Sequence, residues 1–164
     1  MLPTPEQQAL LYREARYLDC QEWQAWMDLY TDKCVFWMPT WRDEVELCNS
    51  PDTELSLIRL LGRDALEDRV WRATSGLSVA STPLPRTAHA VNNILAQETG
   101  KADFAQLTAS WTTHIYYPKT RHSQVFFGLY EYDLRLGEPG WQIERKKIIL
   151  LNDQVPTSLD FYGV

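Results

Sequence analysis

The chain has 164 residues, of which 45% are hydrophobic and 23% are charged, a composition typical of one globular domain. Its formal net charge of −6 argues against nucleic acid as a partner, because an acidic surface repels phosphate backbones. No apolar run approaches the roughly 20 residues that cross a bilayer, and residues 1–15 lack the pattern of a signal peptide. We therefore expect a cytoplasmic protein that binds neither nucleic acid nor membrane.

Two helices are predicted at the N-terminal end. Thr4, Pro5 and Gln7 form the pattern of an N-cap, a first-turn proline and a capping-box glutamine. The first helix should run from there to about Asp19, and the second should begin near Gln21. The second has an apolar face with the spacing i, i+3, i+4 and i+7, formed by Trp23, Trp26, Met27 and Tyr30. Such an aromatic stripe is more often core than a cofactor site.

Short elements of mixed type follow. Their composition predicts a strand over 34–39, a polar loop over 40–54, a strand over 55–60, a helix over 62–76 and a loop over 77–85. The helix is supported by its charges, because acidic residues come early and arginines late, as the helix dipole favours.

Four long strands are predicted after this loop, over residues 86–98, 103–117, 122–136 and 141–151. Turn-forming residues separate them, so consecutive strands should pair as an antiparallel meander. Apolar and polar side chains alternate over residues 107–117, which indicates a strand with one drier face. The pattern predicts the α+β class, with the N-terminal helices packed on one face of a curved antiparallel sheet.

We expect a single domain over residues 1–164. Helices and short strands occupy 1–76, the meander occupies 86–151, and a C-terminal segment occupies 152–164.

Few residues indicate chemistry. His89, His114 and His122 are far apart in sequence, and no cysteine lies within five residues of any of them. We therefore expect no metal site and no bound cofactor in this chain. The sequence also has no Gly-x-Ser-x-Gly nucleophile motif and no glycine-rich phosphate loop.

General acid–base catalysis stays open. Candidate groups for a pocket are the tyrosines together with Asp28, Asp32, His89 and His114. Nothing in their spacing selects a set. In a regular strand Arg86 and His89 lie on opposite faces, which argues against a joint catalytic pair. We expect His89 to be a hydrogen-bonded structural residue without a catalytic role.

Three segments resemble the small, or β, subunit of aromatic-ring-hydroxylating dioxygenases, which are Rieske non-haem iron oxygenases. They are EARYLDCQEWQAWMDLYTDKCVFWMP (residues 14–39), ALEDRVWRA (65–73) and LPRTAHAVNN (84–93). The likeness extends from about residue 5 to the end of the chain. It is similar above all to the subgroup with carboxylated arene substrates: benzoate, toluate, halobenzoate or anthranilate.

The resemblance implies a cone-shaped fold like that of nuclear transport factor two and ketosteroid isomerase, also called cystatin-like. It implies a subunit without metal or catalytic residues that assembles with a large (α) subunit, in a hexamer of three large and three small subunits. The large subunit would hold a Rieske [2Fe–2S] cluster and mononuclear Fe(II). A separate reductase would act on it with electrons from NADH, and O2 would be added to the ring as a cis-dihydrodiol.

Our functional hypothesis is therefore a structural subunit that supports assembly of the catalytic large subunits. The hypothesised contact surface consists of Trp37, Met38, Pro39, Trp41 and Arg86. Two alternatives stay open: a stand-alone isomerase or dehydratase that uses a pocket Asp or His, and a ligand-binding module with no partner subunit. The sequence identifies no aromatic substrate.

Overall fold

A computed structural model describes residues 1–78, 81–155 and 159–164. Within these ranges the helices are α1 (Pro5–Asp19), α2 (Trp23–Met27) and α3 (Arg63–Thr74), with a last 3-10 helix at Phe161–Gly163. The strands are β1 (Tyr30–Pro39), β2 (Ser56–Leu61), β3 (Arg86–Gln97), β4 (Phe104–Tyr117), β5 (His122–Gly137) and β6 (Gly140–Leu150). They form one sheet in the order β2-β1-β6-β5-β4-β3.

The sheet confirms the α+β class and the antiparallel meander from β3 to β6. One pairing differs from the expected antiparallel arrangement, because β1 runs parallel to β6, with Phe36 opposite Lys146. Tight turns fix the direction of strands that are neighbours in the chain. β1 and β6 are more than a hundred residues apart in the chain, so no turn between them indicates their relative direction. The parallel pairing of β1 with β6 could therefore not be predicted from the sequence.

Helix α1 begins as predicted. The Thr4 hydroxyl accepts from the backbone N–H of Gln7 at 3.3 Å, and the Thr4 N–H donates to the Gln7 side chain at 2.9 Å. This capping box gives the backbone N–H groups of Thr4 and Gln7 a side-chain acceptor each, and it fixes the start of the helix. Leu10, Leu11 and Leu18 then lie on one buried face against the sheet.

The second helix is shorter than expected. It ends at Met27, and β1 already begins at Tyr30, four residues before the predicted strand. Tyr30 fits the helical stripe, which repeats every 3.6 residues. It also lies an even number of residues before Cys34 and Phe36, so it fits the period of two residues along the buried face of the strand. Trp26 and Tyr30 are fully buried, so the aromatic stripe is core, as predicted.

The predicted loop over 77–85 includes residues 79–80, and the predicted C-terminal segment includes residues 156–158. Both predictions therefore lie partly outside the described residues. The described end of the chain returns to the core, where the Phe161 ring stacks on Trp26 with 5.1 Å between ring centroids. Arg69 of α3 donates to Asp160 at 2.8 Å, which holds this end in place.

Gly128 lies where β5 approaches both its neighbours. A Cβ atom at this position would lie 1.8 Å from the carbonyl oxygen of Ile149 and 3.1 Å from Nε1 of Trp111. Glycine in a strand interior often marks such a close backbone approach. The backbone of β6 would have to move to admit even a methyl group.

We predict that Gly128→Ala lowers the free energy of unfolding by about 1–3 kcal/mol or prevents folding, because an added methyl group overpacks this site. Gly137→Ala is the matched control, since a Cβ there would meet its nearest atom at 3.7 Å, an ordinary contact. Urea denaturation of both variants measures the difference. Equal stability of the two variants would contradict the prediction.

Candidate functional site: two buried ionic clusters and the outer sheet face

A charged cluster lies inside the core, where α1 packs on the sheet. The ammonium group of Lys146 on β6 donates to Oε1 of Glu14 on α1 at 2.8 Å. Tyr30 of β1 donates to the same oxygen at 2.5 Å, and Tyr132 of β5 donates to Oε2 at 2.8 Å. Glu14 and Lys146 are each only 1% exposed. We call these four residues the core ionic cluster.

The charges of the core ionic cluster are mutually compensated. Burial by itself raises the pKa of Glu14, but the charge and hydrogen bond of Lys146 and the two tyrosine hydroxyls outweigh it, and the pKa lies below its ordinary value. Burial raises the pKa of Tyr30 and Tyr132 well above 10.0, so both hydroxyls stay protonated donors at neutral pH. The Lys146 ammonium also lies 4.1 Å from the ring centroid of Tyr130.

Sequence reasoning missed this cluster, although a signal was present. Glu14 lies four residues after Leu10 and four before Leu18, on the buried face of α1. Lys146 is two residues before Ile148, on the inner face of β6. A charged residue at a core position of its own element predicts a buried partner, because an unpaired charge is rarely buried.

A second cluster joins the end of α1 to β3. Asp19 Oδ1 lies 2.6 Å from Nδ1 of His89 and accepts from the Thr87 hydroxyl at 2.9 Å. Asp19 Oδ2 accepts from the backbone N–H of His89 at 2.9 Å. The His89 side chain is 1% exposed, and its Nε2 has no hydrogen-bond partner among the described residues. The geometry agrees with the prediction that His89 is a hydrogen-bonded residue on the face opposite Arg86.

Contacts with His89 set the ionisation of Asp19. Burial raises the pKa of Asp19, but the hydrogen bonds and charge of His89, together with the Thr87 hydroxyl, outweigh it. The net pKa lies below the ordinary value of 3.8. Because the carboxylate is the last residue of α1, where the helix dipole disfavours a negative charge, these partners are needed to hold it there.

The other candidates for acid–base chemistry are dispersed. Asp28 is exposed and forms an ion pair with Arg63, whose hydrogen bond lowers the pKa of that carboxyl. Asp32 is exposed at the start of the sheet, and His114 is exposed on its outer face, away from α1. His114 pairs with Ala88 and therefore lies on the face opposite His89. Among the predicted candidates in the described ranges, Tyr30 and Tyr132 meet at Glu14, and His89 meets Asp19; neither carboxylate was a candidate.

The five residues of the hypothesised contact surface differ in exposure. Trp37 is 7% exposed, and its indole N–H donates to the Ser56 hydroxyl at 2.9 Å. The half-buried Trp41 donates to the carbonyl of Leu150 at 2.7 Å. Three further positions complete the set: Met38 and Pro39 are buried, and Arg86 is exposed.

Within the described ranges, no group of three or more His, Cys, Asp and Glu side chains is arranged to hold a metal ion. In the same part of the chain, every helix is too short or too polar to span a lipid bilayer.

Comparisons with known proteins identify the family. The family model described as "Ring hydroxylating beta subunit" matches residues 13–157 of the chain. The chain belongs to this family. It is therefore a β subunit of a ring-hydroxylating dioxygenase, an oxidoreductase, and the resemblance seen in the sequence is confirmed.

Relatives and solved structures agree with the family model. The small subunit of 2-halobenzoate 1,2-dioxygenase from Burkholderia cepacia is 37% identical, over 95% of this chain and 93% of the relative. The β subunit of benzoate 1,2-dioxygenase from Burkholderia mallei superposes with a TM-score of 0.81 and 32% identity, covering 100% of this chain and 99% of that one. An NTF2-like protein with a cystatin-like fold from Novosphingobium aromaticivorans superposes with a TM-score of 0.62, covering 92% of this chain and 82% of that one. Because the two are only 14% identical in sequence, this likeness supports the fold alone.

We predict that Glu14→Gln lowers the free energy of unfolding by about 3–5 kcal/mol, because it leaves the buried Lys146 charge uncompensated. The double variant Glu14→Gln/Lys146→Met should lose less free energy of unfolding than the two single variants, Glu14→Gln and Lys146→Met, lose together. The reason is that it leaves neither charge buried without a partner. Chemical denaturation of the three variants measures the coupling. Glu144→Gln, at an exposed ion pair with Arg135, is the control and should lose much less. Strict additivity would contradict a coupled pair.

We predict a pH dependence from the lowered pKa of Asp19. The stabilisation by this carboxylate is complete above the ordinary value of 3.8 and is lost as the pH falls through the lower folded-state value. The stability difference between the unmodified chain and Asp19→Asn should therefore be larger at about pH 5 than at about pH 3. Urea midpoints at both pH values measure it. A difference that grows on acidification would refute the assignment.

Proposed function

We propose that this chain is a non-catalytic, structural β subunit that supports assembly of the catalytic large subunits of a benzoate-type dioxygenase. The observation that carries the proposal is the filled interior of the sheet. Trp111 stacks on Tyr130 with 5.2 Å between ring centroids and an interplanar angle of 6°, and Lys146 lies over the same tyrosine. These buried side chains occupy the space that a substrate would need beside the middle of α1.

The ionic groups of the interior support the same proposal. Glu14 and Asp19 both connect α1 to the sheet, the first through Lys146 and the second through His89. Their contacts hold elements of the fold together, as expected for groups with a structural task. A role in stabilising a rigid subunit accounts for them without a reaction.

The chemistry would then belong to the partner. We infer a large subunit with a Rieske [2Fe–2S] cluster and mononuclear Fe(II), supplied with electrons from NADH by a separate reductase. That subunit would add O2 to a carboxylated arene to give a cis-dihydrodiol. The names of the relatives support a benzoate-type substrate. A hexamer of three large and three small subunits in the cytoplasm stays our prediction.

We propose that Trp37, Met38, Pro39, Trp41 and Arg86 form the contact region for the large subunit. Trp37, Met38 and Pro39 are buried, so they would act by holding the end of β1 in place beside the partner. The half-buried Trp41 and the exposed Arg86 could contact a partner directly, and both residue types are enriched in protein interfaces.

One observation favours the isomerase or dehydratase alternative. His89 has a free Nε2 on the inner face, and Asp19 holds the ring through Nδ1, as in an acid–base pair where a carboxylate orients an imidazole. Three hollows at the surface of the described residues, of about 240, 370 and 290 Å³, are not lined by His89, whose side chain is 1% exposed. A substrate would have to open the core to reach it.

We predict that His89→Ala lowers the free energy of unfolding by about 1–3 kcal/mol, because the half-buried Asp19 loses its main partner. The yield of the assembled complex with the large subunit should fall, whereas turnover per assembled iron site should not change. Asn92→Ala, at an exposed position of the same strand, is the control. Iron content, unfolding curves and substrate turnover of the co-purified complexes give the three readouts.

Two results would reject the structural role. One is an assembled His89→Ala complex with normal iron content and no activity. The other is hydroxylation of benzoate-type substrates by the purified chain without a large subunit. Sedimentation of the isolated chain, and its co-purification with a chain that carries a Rieske cluster, separate the structural role from a stand-alone binding module.

A further inference from the structure

The acidic residues of the chain are unevenly distributed. Neither residues 69–97 nor residues 104–130 contain an aspartate or glutamate, although the chain has 22 acidic residues and a net charge of −6. The two segments contain β3, β4 and the first half of β5, which are neighbours in the sheet. One part of the sheet therefore carries no carboxylate of its own.

Basic residues lie at one end of this acid-free part. Arg86 begins β3, and Lys119 and Arg121 lie in the turn between β4 and β5; all three are exposed. We call these three residues the basic corner. None of them has an ion-pair partner among the described residues. By contrast, at the other end of the same face three basic residues each contact a carboxylate, in the pairs Arg135–Glu144, Arg145–Asp133 and Lys147–Glu131.

A hollow of about 240 Å³ adjoins the basic corner on the outer face. The strand register explains it, because Arg86 pairs with Tyr116 and the small Ala88 pairs with His114. Ser123 of β5, also small, lies opposite Tyr116. The two small side chains leave a space that the larger three surround.

The Arg86 side chain is held at the hollow. Its guanidinium carbon lies 5.7 Å from the centroid of the Tyr116 ring, a cation–π contact. The hollow thus combines a fixed cation, the His114 imidazole and the Ser123 hydroxyl, groups that suit a carboxylate.

An apolar strip continues the surface along β5. Val125, Phe127 and Leu129 are 40–44% exposed, and Leu151 beside them is 46% exposed. Two acidic residues border it: Asp153, two residues after Leu151, and Glu131, two residues after Leu129. An apolar centre beside a charged rim is the composition of a protein interface.

We propose that the large subunit docks on this surface, with an apolar patch against Val125, Phe127 and Leu129 and an acidic side chain in the hollow beside Arg86. The inference rests on the proposed function and extends it, because it names the surface and the chemistry of the partner. A second copy of this chain suits the surface less well, because the carboxylates on this face, Glu131, Asp133 and Glu144, are already paired within the chain and do not supply a free counter-charge for the basic corner.

The test measures binding of the full chain to the immobilised large subunit of its dioxygenase. The variant Arg86→Glu/Lys119→Glu/Arg121→Glu reverses the basic corner. The control Arg13→Glu/Arg16→Glu/Lys101→Glu makes the same change in net charge at exposed cations outside the surface. We expect the association rate constant of the first variant to fall about tenfold at low salt, with a smaller effect at about 0.5 M NaCl. The control should bind as the unmodified chain does.

Ala88→Leu provides a second variant, because it fills the hollow without changing charge at an exposed position. We expect it to weaken binding while thermal unfolding stays unchanged. Equal binding of the basic-corner variant and the control would overturn the inference, as would an effect confined to self-association of the isolated chain. Failure of the unmodified chain to bind the large subunit would instead overturn the proposed function.

Discussion

The ion pair between Glu14 and Lys146 is the contact on which the arrangement of the whole subunit depends. A buried charge without a partner costs several kcal/mol, so each of these residues must find the other for the core to close. Tyr30 and Tyr132 complete the hydrogen bonds of the carboxylate, which ties α1 to β1, β5 and β6 at a single point. Apolar contacts are not directional and depend little on the exact position of the helix. The hydrogen bonds of this cluster have defined distances and directions, so they fix the position of α1 along the sheet.

That position lets α1 cover the edge of the sheet. β3 is an edge strand, and the two ends of the N-terminal segment reach it, with the Met1 carbonyl accepting from Ala96 N–H and Asp19 accepting from His89 N–H. The 15 residues of α1 are about 22 Å long. Asp19 at the end of the helix and Met1, four residues before its start, therefore reach edge groups that lie seven residues apart on β3. Exposed strand edges invite unwanted pairing, and this one is partly closed within the chain.

The sequence predicted what local physics determines and missed what distant contacts determine. The capping box at Thr4 and the turns of the meander depend on neighbouring residues, and both were found. The start of β1 was missed because Tyr30 fits a helix and a strand equally. Beyond Asn92, strict alternation also fails, because Asn93 adopts a φ of 53° and the register shifts by a bulge before Leu95. The core ionic cluster was missed because charged residues are mostly exposed, and only the positions of Glu14 and Lys146 on the buried faces of α1 and β6 point to it.

A fold of this kind can enclose a pocket between its helices and its sheet, whereas here aromatic side chains pack in much of that space. Gly128 has no side chain, which lets the Trp111 ring lie close to β5 and stack on Tyr130. Glu14 and Asp19 hold α1 to the sheet, whereas the buried Nε2 of His89, Nε1 of Trp111 and Oγ1 of Thr113 have no hydrogen-bond partner among the described residues. The outer face differs, since it combines exposed apolar side chains with cations that have no counter-charge in the described part of the chain. Exposed apolar surface is costly in an isolated subunit, and the cations are free to attract an acidic partner, so recognition by this chain is expected on the outside of the sheet.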